Sequence, residues 1–509
     1  MKLIKYLLLI SISLGFFACT KLDETFRSEL EVAEAGNVSA TDLLTTAYRS
    51  LETPIVDQSR FWAAQQHTSD ETIGPTRGGD WDDNGVWRVL HSHTWNADHG
   101  FLRDTYRELL QTQFASSIVL TFNPSAQQAA EARFLRAFSM MCVLDGWNQV
   151  PFRENLEDFK ILPTTLKGAE AADFLISEVN DIVNTLPATG PAFVANRDAA
   201  RVLLMKLYLN KGAFANRATP TFAPADMNQV ITLADQIISS GRYSLSTNFF
   251  FNFAPNNNSV STENIWTLLH DPATGRGGNN QSRWYLGLHY NQNPSGWNGF
   301  TTLSDFYDKF EATDTRRGMA YPGVTDVSGL RVGFLVGQQF NQSGTALQDR
   351  KNNPLAFTRQ VRLIETGNDL EITGIRVMKY PPDLANNFPA NNDYVIFRYA
   401  DVLLMKAEAI ARGGTATGTA PLNSAAGIVN FIRAARGATP LVTVTLDNLL
   451  DERGRELYWE GWRRQDLIRF AKFLLPWQEK PASDPRNLLF AIPSEQLAVN
   501  PNLEQNPGY

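Results

Sequence analysis

Tyr399-Ala400-Asp401-Val402-Leu403-Leu404-Met405-Lys406-Ala407-Glu408-Ala409-Ile410-Ala411 decides the fold class. Only Asp401, Lys406 and Glu408 interrupt an apolar run with helical periodicity, and Gly413-Gly414 follow where such a helix stops. The reading extends to both sides. Ala130, Phe134, Phe138 and Met141 form one stripe, with Arg133 and Arg136 on other faces. Residues 197–209 (RDAARVLLMKLYL) repeat the pattern, with Gly212 placed to cap the helix C-terminus. Met227 to Ser239 precede Gly241, and residues 423–435 and 446–473 are two further strong helices. Helices of this length joined by Gly-containing turns predict stacked hairpins of the tetratricopeptide kind. The expected fold is mainly α, a tetratricopeptide-like helical hairpin scaffold with long irregular loops carrying a ligand site.

Those loops break the repeat. Residues 67–100 hold five Asp and three Trp around Gly78-Gly79 and Gly85. Residues 252–301 hold Asn256-Asn257-Asn258, Gly277-Gly278, Asn279-Asn280 and Pro294. Loops this long are functional or disordered, and their aromatic content argues for function.

A net charge of −7 argues against a nucleic-acid surface, which needs a basic patch. With two cysteines, a disulfide framework is excluded, and Cys142 in Phe138–Leu144 reads as a small buried hydrophobe. The other cysteine closes an N-terminal pattern. Lys2 and Lys5 precede an apolar run from Tyr6 to Ala18, too short to span a bilayer, and Phe16-Phe17-Ala18-Cys19 ends it. This resembles a lipobox with Phe16 at the position commonly held by Leu. It implies cleavage before Cys19 and a lipid anchor on that residue, durable because several acyl chains each contribute about 0.8 kcal/mol per buried methylene. Asp23 and Glu24 just beyond it resemble the surface-export signals of Bacteroidetes lipoproteins.

Four stretches together resemble the SusD/RagB family of outer-membrane lipoproteins. They are Glu131-Ala132-Arg133-Phe134-Leu135-Arg136-Ala137-Phe138 with Trp147-Asn148-Gln149-Val150-Pro151, then Phe397 to Ala409, then Arg453-Gly454-Arg455-Glu456-Leu457-Tyr458-Trp459-Glu460-Gly461-Trp462-Arg463-Arg464-Gln465-Asp466-Leu467, and the terminus Ala491-Ile492-Pro493 with Asn500 to Tyr509. The resemblance covers nearly the whole chain after Cys19. It implies a signal peptide at 1–18 and one SusD-like domain at 19–509. That domain comprises an N-terminal helical part (19–250, binding loop 67–100) and a C-terminal part (251–509, binding loop 252–301). It further implies a lid over a SusC-like TonB-dependent transporter, neutral oligo- or polysaccharide as ligand, a lipid anchor in the outer membrane facing outward, and no catalysis and no cofactor.

The residues of the third motif read on their own as structure. Glu456, Glu460 and Arg464 follow at i, i+4 spacing, with Leu446, Leu449, Leu450 and Leu457 toward the core. Arg453, Glu456 and Asp466, like Arg398, Asp401 and Glu408, are expected to staple helices together. On one continuous helix Glu456 and Glu460 would not flank a scissile bond.

Ligand contact is expected from two clusters. A sugar offers polarised C–H faces to an aromatic ring and hydroxyl edges to planar polar groups. Gly78-Gly79-Asp80-Trp81 puts both on one turn, with Trp81 as the stacking platform and Asp80 and Arg77 as hydroxyl partners. Core packing is the competing reading of Trp81, and the favoured one for Trp87 and Trp95. The second cluster is Trp284-Tyr285 with residues 290–300, where Trp297 sits between Gly296 and Gly299 beside Asn298. Tyr285, Trp297 and Asn298 are its expected contacts. No metal is expected. Asp80, Asp82, Asn84 and Gly85 match the first half of an EF-hand loop, but His91 stands where the closing Glu belongs. His91, His93 and His99 lack a zinc motif. The alternatives are a peptide-binding lid of a similar importer, or a surface glycoside hydrolase using Asp80 and an acid from another loop.

Overall fold

Ser125 and Gln128 cap each other at the start of the protein's most buried helix. In the computed structural model the Ser125 hydroxyl accepts from the Gln128 N–H at 3.3 Å, and Gln128 Oε1 accepts from the Ser125 N–H at 2.9 Å. The structure describes residues 38–153, 156, 160–276, 285–386 and 389–509. The expected lipidation site Cys19 and the signal segment lie outside the described residues, as does Trp284. The chain divides into two units, 1–39 and 40–509, and every element below belongs to the second.

The scaffold helices are α1 (Ala40–Ser50), α2 (Gly100–Val119), α3 (Ala126–Trp147), α4 (Gly168–Ile182), α5 (Arg197–Ala215), α6 (Pro224–Ser239), α7 (Tyr399–Ala411), α8 (Ala425–Ala435), α9 (Leu446–Leu457) and α10 (Arg463–Arg469). Each packs on its successor from α2 to α7, and α7 then meets both α8 and α9. This is the stacked-hairpin arrangement expected from the helical periodicity. The pattern is plain in α4, where Ala171, Ala172, Leu175, Ile176, Val179 and Ile182 line the buried face. Cys142, Trp87 and Trp95 are buried.

Two helix boundaries differ from the sequence reading. Gly212 does not cap α5, which runs on to Ala215. A Cβ at Gly212 would lie 1.7 Å from the Thr221 carbonyl oxygen, so the glycine serves close approach of the following chain. Residues 446–473 are not one helix. The chain breaks after Leu457, with Trp459 and Gly461 in the left-handed region (φ +59° and +81°). Tertiary contacts hold the break: the Trp459 N–H donates to Glu71 Oε2 at 3.0 Å and the Trp62 indole donates to the Trp459 carbonyl at 3.2 Å. Leu446 is exposed, while Leu449, Leu450 and Leu457 are buried.

The expected loops are largely packed. Residues 67–77 are buried except for half-buried Asp70, and Asn264–Leu268 pairs antiparallel with Tyr394–Arg398 just before α7. Bridges from Ile73 to Thr301 and from Thr302 to Ile375 tie three distant segments into one layer.

A buried ionic lattice joins the C-terminal helices. Glu456 accepts from Arg398 at 2.7 Å, from Arg436 at 2.8 Å and from Arg316 at 2.8 Å, all fully enclosed. Glu460 pairs with Arg398 at 2.8 Å and Lys379 at 2.6 Å instead of with Arg464, because the helix break turns it inward. A second cluster links α5, α7, α9 and α10 through Lys206–Asp401, Arg453–Asp466 and Arg469–Glu408 at 2.7–2.8 Å. The cations beside them hold the Asp401 and Glu408 carboxyls at about 2 against the burial that raises them. These are the stapling roles expected for Arg398, Asp401, Glu408, Arg453, Glu456 and Asp466.

Candidate functional site

Residues 285–300 form a tight double-back that presents Trp297. The Trp297 N–H donates to the Tyr285 carbonyl at 2.6 Å, the Asn298 N–H to Leu288 at 2.8 Å and the Gly296 N–H to His289 at 3.2 Å. A Cβ on Gly296 would lie 2.3 Å from the Leu288 carbonyl oxygen, so only glycine lets the two strands of this segment close. Trp297 keeps 44% of its surface exposed. The half-buried Tyr285 ring stands 6.1 Å from it, centroid to centroid, at 57°.

Trp81 is not the platform expected from the sequence. It is 8% exposed, with Phe300 at 5.0 Å and Trp87 at 6.2 Å, and a Cβ on Gly299 would lie 2.3 Å from its ring. Its indole N–H donates to the Trp297 carbonyl at 3.1 Å, so it pins the backbone of the exposed tryptophan from below. Behind it, Phe300 contacts Trp62, His67 and Trp87 in one aromatic core.

Arg77 is likewise a bracket, not a hydroxyl partner. Nε and Nη2 both donate to the Gly299 carbonyl at 3.1 Å, Nη2 also to Thr373 O at 3.0 Å, and Nη1 to Thr373 Oγ1 at 2.9 Å. Burial lowers its guanidinium to about 10. Asn298 is also turned inward, at φ +56°, where its side-chain oxygen accepts from Arg376 Nη2 at 2.8 Å. Arg376 in turn donates to the Gly374 and Glu371 carbonyls at 2.7 and 2.8 Å. Two buried guanidiniums satisfied by carbonyls thus lock residues 76–81, 297–299 and 370–376 together. Asp80 is exposed on the rim of this assembly.

The sequence reading missed three neighbours. Tyr290, Arg350 and Glu371 converge beside Asp80, with the Arg350 guanidinium 3.9 Å from the Tyr290 ring centre. Arg350 sits in the polar run Gln348-Asp349-Arg350-Lys351-Asn352-Asn353, which carries no local sign of a site. The surface is open. Two cavities, of about 280 and 260 Å³, are lined by Leu110 and Phe114 and by Asn196 and Tyr243, not by these residues.

The carboxylates weighed for calcium point to other tasks. Asp82 accepts from Arg88 at 2.6 Å and Asp83 from the Trp87 indole at 2.7 Å. The histidines weighed for zinc are buried against carbonyls: His91 against Thr72 and Gln478, His93 against Thr68, His99 against Val86. Burial lowers His91 to about 4 and His67, with neither ring nitrogen hydrogen-bonded among the described residues, to about 3. A base whose pKa is depressed on folding costs stability as pH falls from its unfolded value of 6.5 toward its folded one. Each such histidine therefore removes up to about 1.4 kcal/mol per pH unit in that window. Glu71, raised by burial from 4.5 to about 8, acts in the opposite sense and costs stability as pH rises between those values. Chemical denaturation at pH 7, 6, 5 and 4 should show stability falling on the acid side, with a shallower fall in His67→Phe. An equal slope in that variant would show that His67 titrates normally.

The comparisons with known proteins agree with this architecture. The SusD family model matches residues 262–483. The starch-binding protein SusD of Bacteroides thetaiotaomicron is 26% identical over 430 residues, spanning 77% of this chain and 74% of its own length. The chain belongs to the SusD family. A SusD superfamily protein from Parabacteroides distasonis shares the fold of this family member with a TM-score of 0.72 at 18% identity, covering 94% of this chain and all of its own. Surface glycan-binding protein A from Bacteroides thetaiotaomicron, solved in complex with laminarihexaose, gives 0.69 at 17% identity over 92% and 98%. The Phe397–Ala409 and Arg453–Leu467 motifs of this SusD family protein both fall inside the matched segment.

Proposed function

We propose that this protein captures neutral oligo- or polysaccharide at the cell surface without cleaving it. It would hand the glycan to a SusC-like TonB-dependent transporter of the outer membrane, where lipid on Cys19 would hold it. The observation that carries this reading is the half-exposed Trp297 ring on a segment pinned by Trp81, Arg77 and Arg376. An aromatic face fixed in this way stacks on a sugar ring with little ordering left to lose. Tyr285 extends the platform and Asp80 supplies a carboxylate for hydroxyls.

Starch and laminarihexaose, named for two similar proteins, are both uncharged glucose polymers, and they set the first ligands to try. An open surface gives modest affinity per site, with gain from several contacts along one polymer. Catalysis by Glu456 and Glu460 is ruled out by position, since both are enclosed in ion pairs away from any surface. Affinity gel electrophoresis of the purified protein in laminarin and in soluble starch tests the reading. Retardation by at least one of them is the expected result, and free migration in both counts against it.

A further inference from the structure

Arg350 lies flat on Tyr290 because Glu371 holds it there. Glu371 Oε1 accepts from Arg350 Nε at 2.7 Å, and Oε2 accepts from the Arg350 backbone N–H at 3.1 Å while lying 2.9 Å from His289 Nε2. With Nε engaged, the two terminal nitrogens of Arg350 have no hydrogen-bond partner among the described residues, and half of its side chain is exposed. Asp80 acts electrostatically on both Arg350 and Tyr290, yet its carboxylate forms no hydrogen bond or ion pair among the described residues. The residue after Asp80 is Trp81, whose indole holds the Trp297 carbonyl, so the donor fork, the carboxylate and the exposed ring share one rim.

We infer that Arg350 and Asp80 form a donor–acceptor pair beside Trp297 that reads neighbouring hydroxyls of one uncharged sugar, with Arg350 a specificity-determining residue. The inference rests on the capture reading above and adds the substrate class. A hydroxyl pair satisfies both groups, since each hydroxyl donates to Asp80 or accepts from Arg350. An anionic sugar meets two carboxylates, Asp80 and Glu371, for one guanidinium and is disfavoured. Lysine would not substitute, because it lacks the planar fork that both stacks on Tyr290 and presents parallel donors.

Calorimetric titration of the purified full chain with laminarin, soluble starch and polygalacturonate tests this. The wild type should bind at least one of the two neutral glucans and not polygalacturonate. Arg350→Ala and Arg350→Lys should each weaken the neutral glucan at least tenfold with an unchanged melting temperature. Asp80→Asn should weaken it also and narrow the discrimination against polygalacturonate. If Arg350→Ala and Arg350→Gln bind like the wild type while Trp297→Ala does not, the Arg350 assignment is wrong and the capture reading stands. Wild-type binding of polygalacturonate in preference to both glucans would overturn the substrate class, and binding of no glycan would overturn both readings.

Discussion

Glu456→Ala should cost the protein about 3–5 kcal/mol of stability, the range for removing one partner of a buried ion pair. Three enclosed guanidiniums, from Arg316, Arg398 and Arg436, converge on this carboxylate. Each has other acceptors, Asp314 and Glu452 for Arg316 and Glu263 for Arg436, but none of those can move into the space that Glu456 leaves. Arginine does not discharge as lysine does, so the deficit stays as buried positive charge. Against a total stability of about 5–15 kcal/mol, the loss should appear as a large drop in the denaturation midpoint and in soluble yield. A Glu456→Ala protein that unfolds like the wild type would mean that the lattice is not what joins α9 to the sheet strand before α7.

Trp297→Ala should abolish most glycan binding while leaving stability within about 0.5 kcal/mol, as for an exposed substitution away from structural features. Covering roughly 60–80 Å² of ring face at about 25 cal/mol/Å² contributes ~1.5–2 kcal/mol per contact. That is tenfold or more in affinity for one site, and more on a polymer that engages several. Trp81→Ala should behave differently. Its ring is buried against Phe300 and Gly299, so its loss should cost about 3–5 kcal/mol of stability and loosen Trp297 as a consequence. Thermal melts run beside gel retardation separate the two effects: binding lost with stability kept for Trp297, both reduced for Trp81.

The helices were legible because their apolar periodicity is a local property, as in α4 and α7. The break at residues 458–462 was not. Its local pattern is helical, and what interrupts it is Glu71 and Trp62, which meet Trp459 from nearly the other end of the chain. The same physics explains the site. Arg77, Asn298 and Trp81 carry the chemistry of sugar contact in Gly-rich surroundings, but each finds a protein partner in a remote segment and is consumed by it. Trp297 has no such partner for its ring, and the glycines on either side of it gave the clue. Arg350 and Glu371 left no trace in the sequence, since their meaning comes from Tyr290 and His289, brought close only by the fold.

Calorimetric titration of the purified protein with laminarin and soluble starch, followed by assay of the same samples for new reducing ends, tests the central claim most directly. Saturable binding of at least one glucan with no reducing ends released is the predicted result. Release of reducing ends, or no heat of binding with either polymer, would contradict it.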